Sequence, residues 1–180
     1  MKPVLEYYKL DPSAVTPQRA TEHAACWDIS ACFHTDTVKT SDGDIPLSGN
    51  KDGKYIIIWP GQRCLIPTGL IFKIPPEYSL RIHPRSGLAW KNGITVQNCE
   101  GVVDADYYDE TFVMLINHST NNFVLKDQTR IAQIELAPVI EMMVYNIGVR
   151  PAQTTSRQGG FGSTGTDGYV HPDSFGGSDF

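Results

Sequence analysis

At 180 residues and 19.9 kDa, the chain has the length of about one domain. It can bury a core without disulfides or a metal. Its 41% hydrophobic and 10% aromatic content excludes an intrinsically disordered protein, and a net charge of −5 argues against a protein that coats duplex nucleic acid. A small anionic ligand needs only a local group of donors and is not excluded.

The chain starts Met1-Lys2-Pro3-Val4-Leu5-Glu6, without a signal-peptide apolar stretch. No run approaches the roughly 18 apolar residues of a membrane span. The expectation is a cytoplasmic protein, cellular or virus-encoded and not secreted, with no nucleic-acid and no membrane partner. Helical periodicity is best at Gln18–Ala25, which is too short to carry a helical domain. The polar segment His34–Lys54, with turn signals at Asp42-Gly43, Gly49-Asn50 and Asp52-Gly53, suits a surface hairpin leaving the core.

Short β-rich runs follow, punctuated by Gly and Pro. They are Tyr55–Trp59, Arg63–Ile74 broken at Pro67-Thr68-Gly69, Tyr78–Ile82, Ile94–Asn98, Thr111–Ser119, Phe123–Lys126, Arg130–Leu136 and Met142–Ile147. A helix of one to three turns fits near Ser86–Asn92. This rhythm predicts an all-β sandwich, barrel or jelly roll. Pro151–Phe180, rich in Gly, Ser, Thr and Gln, has too little apolar matter to fold alone and is expected to be a mobile arm. The predicted division is a β domain at 1–150, with the insert 34–54, and an arm at 151–180.

Cys26, Cys32, Cys64 and Cys99 contain no Cys-x-x-Cys pair, so zinc or thioredoxin-like chemistry is not expected and the thiols read as buried or inert. The sequon Asn117-His118-Ser119 carries no meaning in an unsecreted chain. Three stretches can carry chemistry. Gly160-Phe161-Gly162-Ser163-Thr164-Gly165 satisfies G-x-G-x-x-G, but only 15 residues remain after it, and Pro172 argues against the helix that a dinucleotide fold needs. It is either a flexible tail or a phosphate-cradling lid, with Arg157 nearby. Pro84-Arg85-Ser86-Gly87-Leu88-Ala89 offers a guanidinium, a hydroxyl and a free amide within three residues, which suits a phosphate. An ordinary turn, or Ser86 as a nucleophile, are the alternatives. Gly101-Val102-Val103-Asp104-Ala105-Asp106-Tyr107 places two carboxylates at i and i+2, suiting a metal, a base with its partner, or merely solvated turn residues.

Together, Ala25-Cys26-Trp27-Asp28-Ile29, PRSGLA at 84–89, GVVDADY at 101–107, RIAQI at 130–134 and GGFGSTG at 159–165 resemble, in order and spacing, the five motifs of the trimeric dUTPases. Pro60–Leu70 resembles the same family between its first two motifs, and the likeness spans residues 3–165. The resemblance implies a distorted jelly roll or β-barrel, a homotrimer with a mobile C-terminal arm, and three active sites each built from three chains. It implies Mg2+-dependent cleavage of dUTP to dUMP and pyrophosphate, keeping uracil out of DNA and supplying dUMP for dTMP synthesis. Asp104 matches the aspartate that activates water. Tyr107 matches the tyrosine under the deoxyribose. Asn98 and the backbone of Gly101, Val102, Val103 and Asp104 match the hairpin that reads uracil. Arg85, Ser86, Gly87 and Gln133 match phosphate donors, and Asp28 a carboxylate holding Mg2+ through water. Phe161 matches the aromatic that closes over uracil. Gly162 stands beside it in the fifth motif, with Arg157, Ser163 and Thr164 reaching the β- and γ-phosphates.

Four features depart from the family pattern. Cys26 stands where Gly is usual, and Asp109 replaces the Gly two residues after Tyr107. In the fifth motif Arg157 lies one residue nearer the glycines, and both the insert 34–54 and the residues beyond Gly165 are extra. The rival readings are a dCTP deaminase of the same fold, which would need a catalytic Glu and no DADY arrangement, and a nucleotide-gated partner-binding protein.

Overall fold

The computed structural model describes residues 2–50 and 53–156. The described residues form fourteen strands and one helix. The strands are β1 (Glu6–Lys9), β2 (Trp27–Ser30), β3 (Thr37–Thr40), β4 (Gly43–Pro46), β5 (Ser48–Asn50), β6 (Gly53–Ile58) and β7 (Arg63–Pro67). There follow β8 (Leu70–Lys73), β9 (Tyr78–Pro84), helix α1 (Ser86–Asn92), β10 (Ile94–Val96), β11 (Gly101–Val103), β12 (Phe112–Asn117), β13 (Phe123–Lys126) and β14 (Arg130–Pro138). The expected all-β class with one short helix is what the chain adopts.

The strands pair antiparallel in four sheets, ordered β10-β12-β7-β3-β4, β11-β9-β14-β2, β13-β6-β5 and β1-β8. Alternation decides which face packs. On β9, Leu80 and Ile82 are buried while Arg81 and His83 point away. On β14, Ile134 is buried between Gln133 and Glu135. The core gathers Ile29, Phe33, Ile56, Ile58, Ile66, Phe72, Leu115, Leu125 and Ile131, all buried. Each such side chain contributes about 1.5–3 kcal/mol relative to exposure.

Helix α1 ends at Gly93, whose φ of +67° is left-handed and whose amide bonds the carbonyls of Ala89 and Leu88. A Cβ there would lie 2.8 Å from the Ser119 nitrogen, so glycine is needed for space as well as for conformation. Asn117 of the unused sequon is fully buried. Its amide donates to the carbonyls of Ile58 and Asn121, and its oxygen accepts from the Ser119 amide and hydroxyl. It ties β6 to the β12–β13 turn and has no group left for a glycan.

Two expectations change. The segment 34–54 does contain a hairpin, β3–β4, but that hairpin is not merely an excursion. Its strand β3 pairs with β7 at Lys39 and Thr40, and Val38 is buried at 2% exposure. One apolar residue per strand, at the inward position, suffices to join a core. The run Met142–Ile147 forms no strand. By fold the chain divides into Met1–Glu141 and Met142–Phe180, and the described part of the second unit, 142–156, carries no ladder. Met142, Met143, Val144 and Tyr145 are exposed there, because an apolar run without a pairing partner cannot satisfy its backbone as a strand.

Candidate functional site

Two groups of residues stand out on the β11-β9-β14-β2 sheet. The first lies where β2, the end of β9 and the start of β14 meet. In the ladder Gln133 faces Asp28 on one side and His83 on the other, so these three share one face. Arg85 follows β9 and donates from Nε to Asp28 Oδ1 at 2.9 Å, while Arg130 donates from Nη1 to Oδ2, also at 2.9 Å. A second Arg85 nitrogen bonds the Arg130 carbonyl at 3.2 Å, and Gln133 Nε2 bonds the Pro84 carbonyl at 2.9 Å. One carboxylate thus holds two guanidinium groups in place at the mouth of α1. The first turn of that helix has no side-chain cap, and Ser86 and Gly87 are exposed. At Gly87 neither φ nor packing asks for glycine, since a Cβ would meet nothing within 4 Å. Arg130 was not singled out from the sequence as a site residue, although it opens the RIAQI motif.

The second group surrounds a cavity of about 280 Å³ beside β11. Asn98, Gly101, Val102, Val103, Asp104 and Tyr107, all named from the sequence, line it together with Leu65, Ile82 and Met114. Gly101 lies so close to β9 that a Cβ would come within 3.1 Å of Ile82 Cβ. The cavity floor is therefore shaped by a missing side chain. Beyond β11 the chain turns, with the Tyr107 amide bonding the Asp104 carbonyl at 3.2 Å. The Tyr107 hydroxyl donates to the Glu110 carbonyl at 2.8 Å. Burial, then the charges of Asp109 and Glu110, push the Tyr107 phenol above its ordinary value, so it stays a neutral donor. Asp109 has no positive φ, so loss of the usual glycine does not strain the turn.

Glu110 fixes this turn to the body of the protein. Its Oε1 accepts the Gly69 amide at 2.7 Å and lies 3.0 Å from His34 Nε2. Neither His34 nor Glu110 carried a signal in the sequence, because only the fold brings them together. Thr111, at the cavity wall, has a buried hydroxyl with no partner among the described residues. Arg157, Phe161, Gly162, Ser163 and Thr164 lie outside the described residues.

The two groups do not converge within one chain. Val103 pairs with Leu80, so Asp104 lies beside the Ser79 end of β9, whereas Arg85 lies beyond its other end. Arg85 is six steps along the chain from Ser79, about 20 Å at the rise of an extended chain.

The chain matches the family model described as dUTPase over residues 52–165. It is 42% identical over 145 residues to the deoxyuridine 5'-triphosphate nucleotidohydrolase of Brucella melitensis, covering 81% of this chain and 89% of that protein. It is 41% identical over 162 residues to the protein of the same name from Nautilia profundicola, covering 89% and 98%. Among solved structures, the Staphylococcus bacteriophage 80alpha dUTPase with dUpNHpp superposes with a TM-score of 0.67 at 18% identity, over 91% of this chain and 99% of that one. The dUTPase of Staphylococcus aureus phage phi11, in which a structural Mg(II) ion is coordinated, gives a TM-score of 0.64 at 15% identity over 83% and 99%. These structural likenesses concern the fold alone.

Proposed function

The chain belongs to the dUTPase family and is a dUTP diphosphatase, and we propose that its sites are completed between chains of a homotrimer, with Asp104 as the base. Water attacks the α-phosphorus, Asp104 takes its proton, and the bond to the β-phosphate breaks to release dUMP and pyrophosphate. The observation that carries the shared site is the separation of about 20 Å along β9 between Asp104 and Arg85, wider than one nucleotide's reactive centre can bridge. A second chain then supplies Arg85, Ser86, Gly87 and Gln133 to the phosphates. The segment from 151 onward, with Arg157, Phe161, Gly162, Ser163 and Thr164, closes the site from a third.

The cavity supports uracil as the base. Asn98 and the backbone of Gly101–Val103 offer donors and acceptors at a fixed wall, so a base of opposite polarity leaves a polar group unpaired. Tyr107, tethered through Glu110, leaves no room for a 2′-hydroxyl.

Mg2+ is the metal that this family implies. Both Asp28 oxygens accept from guanidinium groups, so Asp28 is held in place by two positive charges. Asp28 would hold such an ion through water alongside the substrate phosphates, and the ion would supply neutralisation of phosphate charge.

The test is pyrophosphate release from dUTP, UTP, dCTP and dTTP, with and without Mg2+. Selective, Mg2+-dependent turnover of dUTP is expected, and comparable turnover of dCTP would exclude this reading. Asp104→Asn should bind dUTP and lose turnover by roughly 10²–10⁴-fold, the worth of a positioned base. A near-normal rate in that variant would remove Asp104 from the role.

A further inference from the structure

On the same sheet face as Asp28, Arg85 and Gln133, two residues along each strand, lie Cys26, His83 and Glu135. The period of two puts them on that face and about 7 Å from the phosphate corner. One thiol sulfur, one imidazole nitrogen and one carboxylate oxygen come within 4.8 Å of one another, and all three residues are partly buried. His83 Nε2 is 3.1 Å from Glu135 Oε1.

Among the described residues no arginine fills this corner. Arg81, opposite Glu135 in the ladder, turns to Glu100 at 2.8 Å and to the Ser79 hydroxyl, and Arg85 and Arg130 are spent on Asp28. The polar contact that Glu135 makes is with the His83 ring. Cys26 also stands where the family usually has glycine, so its side chain is an addition that the common site does not need. A thiol, an imidazole and a carboxylate converging from the residue before β2, from β9 and from β14 make the mixed donor set that a borderline-soft divalent ion takes.

We infer that Cys26, His83 and Glu135 form a site for a divalent cation of the zinc class, separate from any Mg2+ brought by substrate. Thiolate and imidazole select such an ion over Mg2+, which prefers an all-oxygen shell. Three protein ligands leave a fourth position for water. Binding takes the proton from the Cys26 thiol to solvent and replaces the His83–Glu135 hydrogen bond, with the imidazole proton on Nδ1. The spacing of the cysteines gave no hint of it, because two of the three ligands are not cysteines and all three are far apart in sequence.

The experiment is titration of the metal-free full-length protein with Co2+, read by absorption, with Zn2+ and Mg2+ as competitors. One Co2+ per chain should give a thiolate-to-cobalt charge-transfer band, displaced by Zn2+ and untouched by excess Mg2+. Cys26→Ser should abolish the band, and Glu135→Gln should weaken Co2+ binding by more than about 100-fold, beyond the usual loss of an outer-shell partner. Cys99→Ser, at the exposed cysteine that is not one of the three donors, should retain it. Each variant is checked for fold by circular dichroism. Should Cys26→Ser fail to fold, Glu135→Gln with unchanged Co2+ affinity overturns the site by itself. A band that survives in folded Cys26→Ser, or Mg2+ competing as well as Zn2+, overturns it too.

Discussion

Gly87 and Gly101 are both small, for different reasons. Gly101 is small because Ile82 lies beneath it, 3.1 Å from where a Cβ would stand. Gly87 has open space around it and sits inside α1, where alanine is preferred by about 0.5–1 kcal/mol. Gly87→Ala should therefore raise the urea midpoint slightly while raising the KM for dUTP at least several-fold. Unchanged KM would show that nothing approaches the Gly87 backbone. Cys64 shows a second residue-level effect. Burial, with the Asp42 charge adding to it, pushes its thiol from an ordinary 9.0 up to about 12. The unfolded chain ionises this thiol near 9 and the folded one does not, so its contribution is whole below pH 9 and is lost as pH rises toward 12. Urea midpoints should fall between pH 8 and 10.5, and less steeply in Cys64→Ala. Parallel declines in the two proteins would contradict the assignment.

At the scale of elements, the hairpin β3–β4 is the part whose role changed most between sequence and structure. Its composition is polar, yet β3 covers the edge of β7 and buries Val38. Lys54, at the end of the segment, donates to the Phe33 carbonyl at 2.9 Å and closes the loop. Val38→Ala should cost about 2 kcal/mol, between a single-methyl loss and a full Leu→Ala truncation. Denaturant unfolding measures this directly. A cost below about 0.5 kcal/mol would return the hairpin to the status of a surface excursion. Because β7 also carries Leu65 of the cavity beside β11, where the base is proposed to bind, removing the whole hairpin should reduce dUTP affinity as well as stability.

At the scale of the whole molecule, the distance along β9 is what the proposed site shared between chains rests on. A chain with Asp104→Asn and a chain truncated after Arg150 should each be inactive alone. Refolded together, mixed trimers should regain activity, since some sites then receive Asp104 from the truncated chain and the arm from the other. Random mixing of equal amounts in a closed ring requires two independent choices, so about a quarter of sites should work. Zero recovery in mixed trimers verified by mass would place base and arm in one chain.

The all-β class, the one-turn-to-three-turn helix at Ser86–Asn92 and several residues that line the cavity beside β11 were legible in the sequence. Those features are local: strand alternation, Gly and Pro punctuation, and motifs in which Asp104 and Tyr107 stand three residues apart in one turn. The family was legible too, because five such motifs recur in fixed order. What tertiary structure alone decided is whatever depends on register between distant strands. It tied Asp28 to both Arg85 and Arg130, set His34 against Glu110 behind Tyr107, drew Val38 into the core, and brought Cys26, His83 and Glu135 within reach of one ion. Ladder pairing couples residues some 50 to 110 positions apart, and no periodicity along the chain encodes which strand lies beside which.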